Sequence, residues 1–124
     1  MAARRISARL LAAQVLDNYD PFGKGVSESV YERAGECERI GNAAGLVFGV
    51  LKNRSAIDLV IEKAGAKEVG RISKKALNIL RIAVYELVYT PKCPVYAVIN
   101  EAVNEANGRG GNKLGGFVNA ILRR

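Results

Sequence analysis

Residues 77–103 read LNILRIAVYELVYTPKCPVYAVINEAV, and this stretch decides the architecture. Leu77, Leu80, Val84 and Leu87 recur at the spacing of one helical face. Ile79, Ile82, Ala83 and Val88 widen that stripe almost all round, which predicts a central helix over 74–90 with neighbours on both flanks. Ser73 is its expected cap, and Pro91 and Pro94 end it. A second helix restarts at Val95 and runs to about Ala106, with Asn100-Glu101 in its middle. A glycine-rich joint, NEANGRGGNKLGG over 104–116, leads to a short terminal helix from Leu114 to Arg124.

Upstream the pattern stays helical. A first helix spans about Ala3–Tyr19 and is stopped by Asp20-Pro21. Ser27 is placed to cap a short helix to about Ala34, and a third spans Glu36–Lys52 with Ile40, Ala44, Val47 and Leu51 inward. Gly41, Gly45 and Gly49 lie four apart on that helix, which leaves room for another to approach closely. A fourth opens at Arg54 or Ser55, turns Ile57, Val60 and Ile61 inward, and stops at Gly65. Strand signals are weak throughout. The expected fold is all-α, a compact bundle of about seven helices forming one domain over residues 1–124.

Composition narrows the function classes. Net charge is +7, which favours an anionic partner, nucleic acid before membrane. There is no histidine, which excludes histidine-ligated metal and histidine acid–base catalysis. Cys37 and Cys93 stand apart from each other and read as neutral thiols rather than a redox pair. No apolar run approaches the roughly 20 residues of a membrane span. Gln14 and Asp17 break the apolar N-terminus, so a signal peptide is not expected and the reading is cytoplasmic.

Charge is unevenly spread. Residues 1–16 hold Arg4, Arg5 and Arg9 with no acid, residues 17–40 are net acidic, and residues 67–94 are net basic. On a helix beginning at Ala3, Arg5 and Arg9 would project one turn apart beside an apolar face, with Arg4 round the corner. Guanidinium groups suit phosphate oxygens and also stack on bases, so RNA contact is expected there; the plain alternative is a solvated seam. Arg71, Lys74 and Lys75 form a second candidate group at the start of the central helix, where cations oppose the helix dipole. Arg109 and Lys113, in the glycine-rich joint, form a third. That joint lacks the spacing of a phosphate-binding P-loop and follows no strand. Glu86 and Glu101 read as structural carboxylates, and Cys93 in Lys-Cys-Pro has no base nearby in sequence. No catalytic residue, cofactor or metal is expected.

Several segments in order resemble the NusB family, the all-helical RNA-binding domain of bacterial transcription antitermination. They are ARRISARLLAAQVL (3–16), LVFGVLKNRSAIDLVIEK (46–63), LRIAVYEL (80–87), PVYAVINEAV (94–103) and FVNAILRR (117–124). The resemblance implies two small helical subbundles and an arginine-rich first helix that contacts boxA-like or ribosomal single-stranded RNA, a role carried to Arg4, Arg5 and Arg9. It also implies ribosomal protein S-ten (NusE) as a partner. Asp17 stands where the family commonly has an aromatic, and Lys113 where the loop meeting that partner tends to be acidic. FGVLKNRSAIDLVI, ELVYTPKCP and LGGFVNAILRR are closer to the N-terminal domain of a ribosomal RNA (cytosine-5) methyltransferase, whose catalytic motifs this sequence does not contain. Three readings follow: a freestanding RNA-binding antitermination factor, an RNA-docking domain serving such a methyltransferase, and a helical protein–protein adaptor.

Overall fold

The computed structural model describes residues 6–65, 68–90 and 94–123. They form six α-helices: α1 (Ala8–Asp17), α2 (Val26–Tyr31), α3 (Ile40–Lys52), α4 (Arg54–Gly65), α5 (Lys74–Tyr89) and α6 (Val95–Leu122). Single 3₁₀ turns lie at Ala34–Glu36 and Val69–Arg71. The all-α class is as expected, but there are six helices rather than about seven. The difference is one of joining: α6 takes in both expected C-terminal helices, which meet in a kink at Gly111, at φ 78° and ψ −174°, with no loop between them. Gly108, Gly110, Gly115 and Gly116 stay helical on either side of the kink despite the low helix propensity of glycine. A Cβ at Gly115 would collide with the Asn107 side chain, so glycine there lets the two helices approach closely across the kink.

Three boundaries also differ. α1 opens at Ala8, not Ala3, because Ser7 is extended and its hydroxyl accepts a hydrogen bond from Leu10 N at 3.1 Å. Arg4 and Arg5 lie outside the described residues. Gly25 rather than Ser27 precedes α2, and α3 starts at Ile40 because the preceding residues wind into the 3₁₀ turn.

Helices α1–α3 pack together, α4–α6 pack together, and α1 lying against α5 joins the two groups. α5 touches α1, α3, α4 and α6, the central position its all-round apolar stripe demands. Leu11, Val47, Ile57, Ile79, Leu80 and Val98 are fully buried between them. Val60 and Val88 depart from the expected pattern; both are about half exposed, at the α4–α5 edge. Cys37 is a buried free thiol, and Cys93 lies outside the described residues. No helix among the described residues is long and apolar enough to cross a membrane.

Two polar layers fasten α1 to α5 and α6. In the first, the Arg9 guanidinium donates to both carboxylate oxygens of Glu86, one at 2.7 Å, and pairs with Glu101. In the second, Asp17 accepts from Asn78 Nδ2 at 2.6 Å and from Arg109. The members of the two layers are eight residues apart on each of the three helices, roughly 12 Å along a helix axis. The pairings make α1 antiparallel to α5 and parallel to α6. Glu86 and Asn78 are buried, so each layer satisfies a group that would otherwise be desolvated and unpaired. Glu105 sits one turn from Glu101. Burial pushes its pKa up to about 7, with the Glu86 carboxylate adding to the rise and Arg9 and the Ser7 hydroxyl acting against it.

Of the glycine row on α3, only Gly49 receives a neighbour. A Cβ there would collide with the Tyr85 ring, which itself stacks on Tyr89 with centroids 5.3 Å apart. Gly41 and Gly45 instead face a groove of about 500 Å³ between α3 and the junction of α1 with α5. Gly49→Ala is therefore expected to destabilise by about 1–3 kcal/mol from overpacking. Gly45→Ala should stabilise by about 0.5–1 kcal/mol through helix propensity alone. Urea denaturation of the two variants checks the contrast.

A second prediction follows from Glu105. A carboxyl whose folded pKa exceeds its unfolded one holds its proton more tightly when folded. The stability it contributes is therefore present at low pH and lost as pH rises from the usual 4.5 towards 7. Glu105→Gln should remove that decline and raise stability above pH 7 by roughly 1–3 kcal/mol, read from melting curves across the pH range.

Candidate nucleic-acid interface

The entry to α5 gathers three exposed cations. Val69 N donates to Glu62 at 3.0 Å, which holds the 3₁₀ turn against α4, and the Ser73 hydroxyl accepts from Ala76 N at 3.4 Å to open α5. These local bonds place Arg71, Lys74 and Lys75 within five residues of one another, all exposed. None has an ion-pair partner among the described residues. Three cations at a helix N-terminus oppose the dipole, so this end of α5 is an electrostatically unfavourable arrangement that an anion would relieve. Lys113 is also exposed, on α6 beyond the break at Gly111.

Arg109 is near these residues but is not one of the outward cations. One Nη donates to the Lys75 carbonyl at 3.4 Å and the other pairs with Asp17; its side chain is 13% exposed, and burial lowers its pKa. It ties the α6 joint to the first turn of α5 and to the end of α1. Arg9 is similarly committed, 18% exposed and held by Glu86 and Glu101 at the far end of the α1–α5 seam. The expectation that Arg9 projects outward beside Arg5 as a phosphate contact is thus replaced by an inward, bridging position. The physical reason is the buried Glu86 carboxylate, which needs a cation. The structure therefore brings together Arg71, Lys74, Lys75 and Arg109, and separates them from Arg9.

Sequence reasoning missed Arg54 and Arg81. Arg81 donates bidentately to Asp58 at 2.8 and 2.9 Å and to the Asn78 side-chain oxygen at 3.1 Å. This extends the second polar layer into a continuous chain: Arg109, Asp17, Asn78, Arg81, Asp58. Arg54 approaches the already engaged Asp58 only to 3.9 Å and keeps its side chain 55% exposed. Two signals were available: the i, i+4 spacing of Arg54 and Asp58, and Arg81 standing alone in an apolar helix. The acidic 17–40 segment largely pairs within itself. Lys24 bonds Glu32 at 2.7 Å, and Arg33 bonds Glu36 and Gln14, so the Arg33 guanidinium holds the Glu36 carboxyl below its ordinary range. Lys24 and Arg33 are thus spent locally, whereas Arg71, Lys74 and Lys75 stand exposed together at the head of α5.

The chain matches the NusB family model over residues 6–124. It is 36% identical to the transcription antitermination protein NusB of Anaeromyxobacter dehalogenans, over 98% of this chain and 89% of that protein. The NusB of Geobacter sulfurreducens is likewise 36% identical, over 98% of this chain and 92% of its own. Among solved structures it superposes on a chain from the antitermination factors NusB and NusE in complex with double-stranded RNA. That match has a TM-score of 0.81 and 27% identity, over 94% of this chain and 90% of that one. A chain in the crystal structure of a plectonemic RNA supercoil gives a TM-score of 0.80 at 28% identity, over 94% and 88% of the two chains. With the helical order, the α5–α6 core and the full-length match in agreement, this chain belongs to the NusB family.

Proposed function

We propose that this protein is a non-catalytic RNA-binding factor of transcription antitermination and ribosomal RNA synthesis, acting with ribosomal protein S-ten (NusE). The observation that carries the reading is the exposed cationic group Arg71, Lys74 and Lys75 at the head of α5, which has no ion-pair partner among the described residues, while the nearby Asp17 and Asp58 are already engaged. Lys113 extends this surface, and Arg4 and Arg5 supply further phosphate contacts. Arg9 and Arg109 act by holding α1, α5 and α6 in register. Relatives aligned over nearly the whole chain carry the antitermination name, and a similar solved chain is in complex with NusE and RNA. Both observations favour this reading over a methyltransferase-docking domain or an adaptor without RNA. Contacts of this kind to phosphate are sequence-independent and salt-sensitive, so the protein alone should bind single-stranded RNA weakly, with Kd on the order of 10⁻⁴–10⁻⁶ M near physiological salt. The partner protein would add surface and specificity.

The double reversal Lys74→Glu/Lys75→Glu should weaken binding of a short single-stranded ribosomal-leader RNA at least about ten-fold. It should also flatten the dependence of log Kd on log salt by about 1.4, two phosphate contacts' worth. Fluorescence anisotropy titrations at several salt concentrations measure both. Equal affinity and equal slope in wild type and variant would remove the head of α5 from the interface.

A further inference from the structure

A groove of about 560 Å³ runs between the C-terminal ends of α1 and α3, the Val69–Arg71 turn and the first turns of α5. That volume is in the range of roughly 300–1,000 Å³ usual for sites that enclose small organic ligands. Its floor is apolar, formed in part by Leu16, Leu51 and Leu77. Its rim carries Tyr19, Arg54 and Lys74. Tyr19 follows α1 and leaves about a third of its surface open to solvent.

The cations on this rim are at most weakly engaged. Arg81, which also lines the groove, saturates Asp58, and that leaves Arg54 loosely held at 3.9 Å. Asp17 is occupied by Asn78 and Arg109. Lys74 has no acid partner among the described residues. The slot thus offers a flat apolar surface, one aromatic ring and two available cations. Inorganic phosphate would leave the apolar floor unused, and an apolar peptide would leave the cations unused. A nucleobase flanked by its phosphates uses all three, because an unstacked base is held by aromatic stacking while guanidinium and ammonium groups grip the backbone.

We propose that this groove receives one unstacked base of the bound RNA strand, with Tyr19 stacking on its face and Arg54 and Lys74 gripping the adjoining phosphates. This rests on the RNA-binding reading above and adds to it a base-holding site with Tyr19 and Arg54 as new contacts. The rest of the cationic surface would then position the strand, while this slot distinguishes a single strand with a free base from a continuous duplex.

The test is an abasic scan. A short single-stranded RNA of mixed sequence is titrated against the full chain, with one nucleotide at a time replaced by an abasic unit. For wild type, one position should weaken binding roughly ten-fold when its base is removed, the size of one stacking contact. Tyr19→Ala should bind the intact RNA about as weakly as wild type binds that abasic RNA, and should lose nothing further from the same abasic unit. Tyr19→Phe, which keeps the ring, should behave as wild type. Arg54→Ala should lower the salt slope by about 0.7. If wild type binds the RNA but Tyr19→Ala binds it equally, with no position-specific loss to cancel, the slot is overturned and the RNA-binding reading stands. If wild type binds no RNA at any salt concentration, both fall.

Discussion

Arg9 between Glu86 and Glu101, and Asp17 between Asn78 and Arg109, close the seam of α1, α5 and α6 at its two ends, with apolar side chains between. The charge order is inverted from one layer to the other. In the first the cation is on α1 and the anions are on its neighbours; in the second the anion is on α1 and the cation is on α6. Docking α1 the other way round would set Arg9 beside Arg109 and Asp17 beside two glutamates. Hydrophobic burial discriminates less sharply against such a reversal, because it is non-directional and scales with the apolar area removed from water. The buried polar layers are not indifferent, since a buried charge left without its partner is strongly destabilising. They therefore select one direction and one register for the helix that joins the two halves of the molecule.

The outer surface depends on that register. With α1 seated, Asp17 reaches Asn78 and Arg109, Arg109 reaches the carbonyl of Lys75, and Arg81 is drawn inward to Asp58. Asp17 and Asp58, near the head of α5, are used up in these bonds. What remains exposed there is mostly cationic: Arg71, Lys74 and Lys75 on one side and the loosely held Arg54 on the other, beside the exposed Glu68. The proposed RNA-binding surface is thus the residue of an internal charge balance, and its positive potential follows from where the acids have been spent. Asp17, in place of the family's common aromatic, belongs to this internal set, and Tyr19 two residues later supplies an aromatic ring at the neighbouring groove.

Much of the fold could be read in the order of residues. The α5 stripe, the Ser73 cap, the inward Ile57 and Ile61 and the structural role of Glu86 all follow from periodicity or from the cost of burying a polar group, both of which act over one or two turns. The misreadings have physical causes too. Gly108, Gly110 and Gly116 have the composition of helix breakers, yet they stay helical, and the break the joint predicts is confined to the kink at Gly111 between the two helices of α6. The Gly41–Gly45–Gly49 row has the spacing of one close contact, but only Gly49 meets a neighbour, because Tyr85 reaches only that turn.

The candidate site was legible only partially. By itself the sequence determined the helical class, the identity of the central helix and the excess of positive charge, because propensity, periodicity and net charge are sums over near neighbours. Only the tertiary structure decided which cations face solvent. Arg9 and Arg109 are as basic as Arg71 and Lys74, but their fate is set by Glu86 and Asp17, which lie 77 and 92 residues away along the chain. A pairing at that separation leaves no local pattern, since it exists only once the helices between have packed and removed the water that would otherwise have screened it.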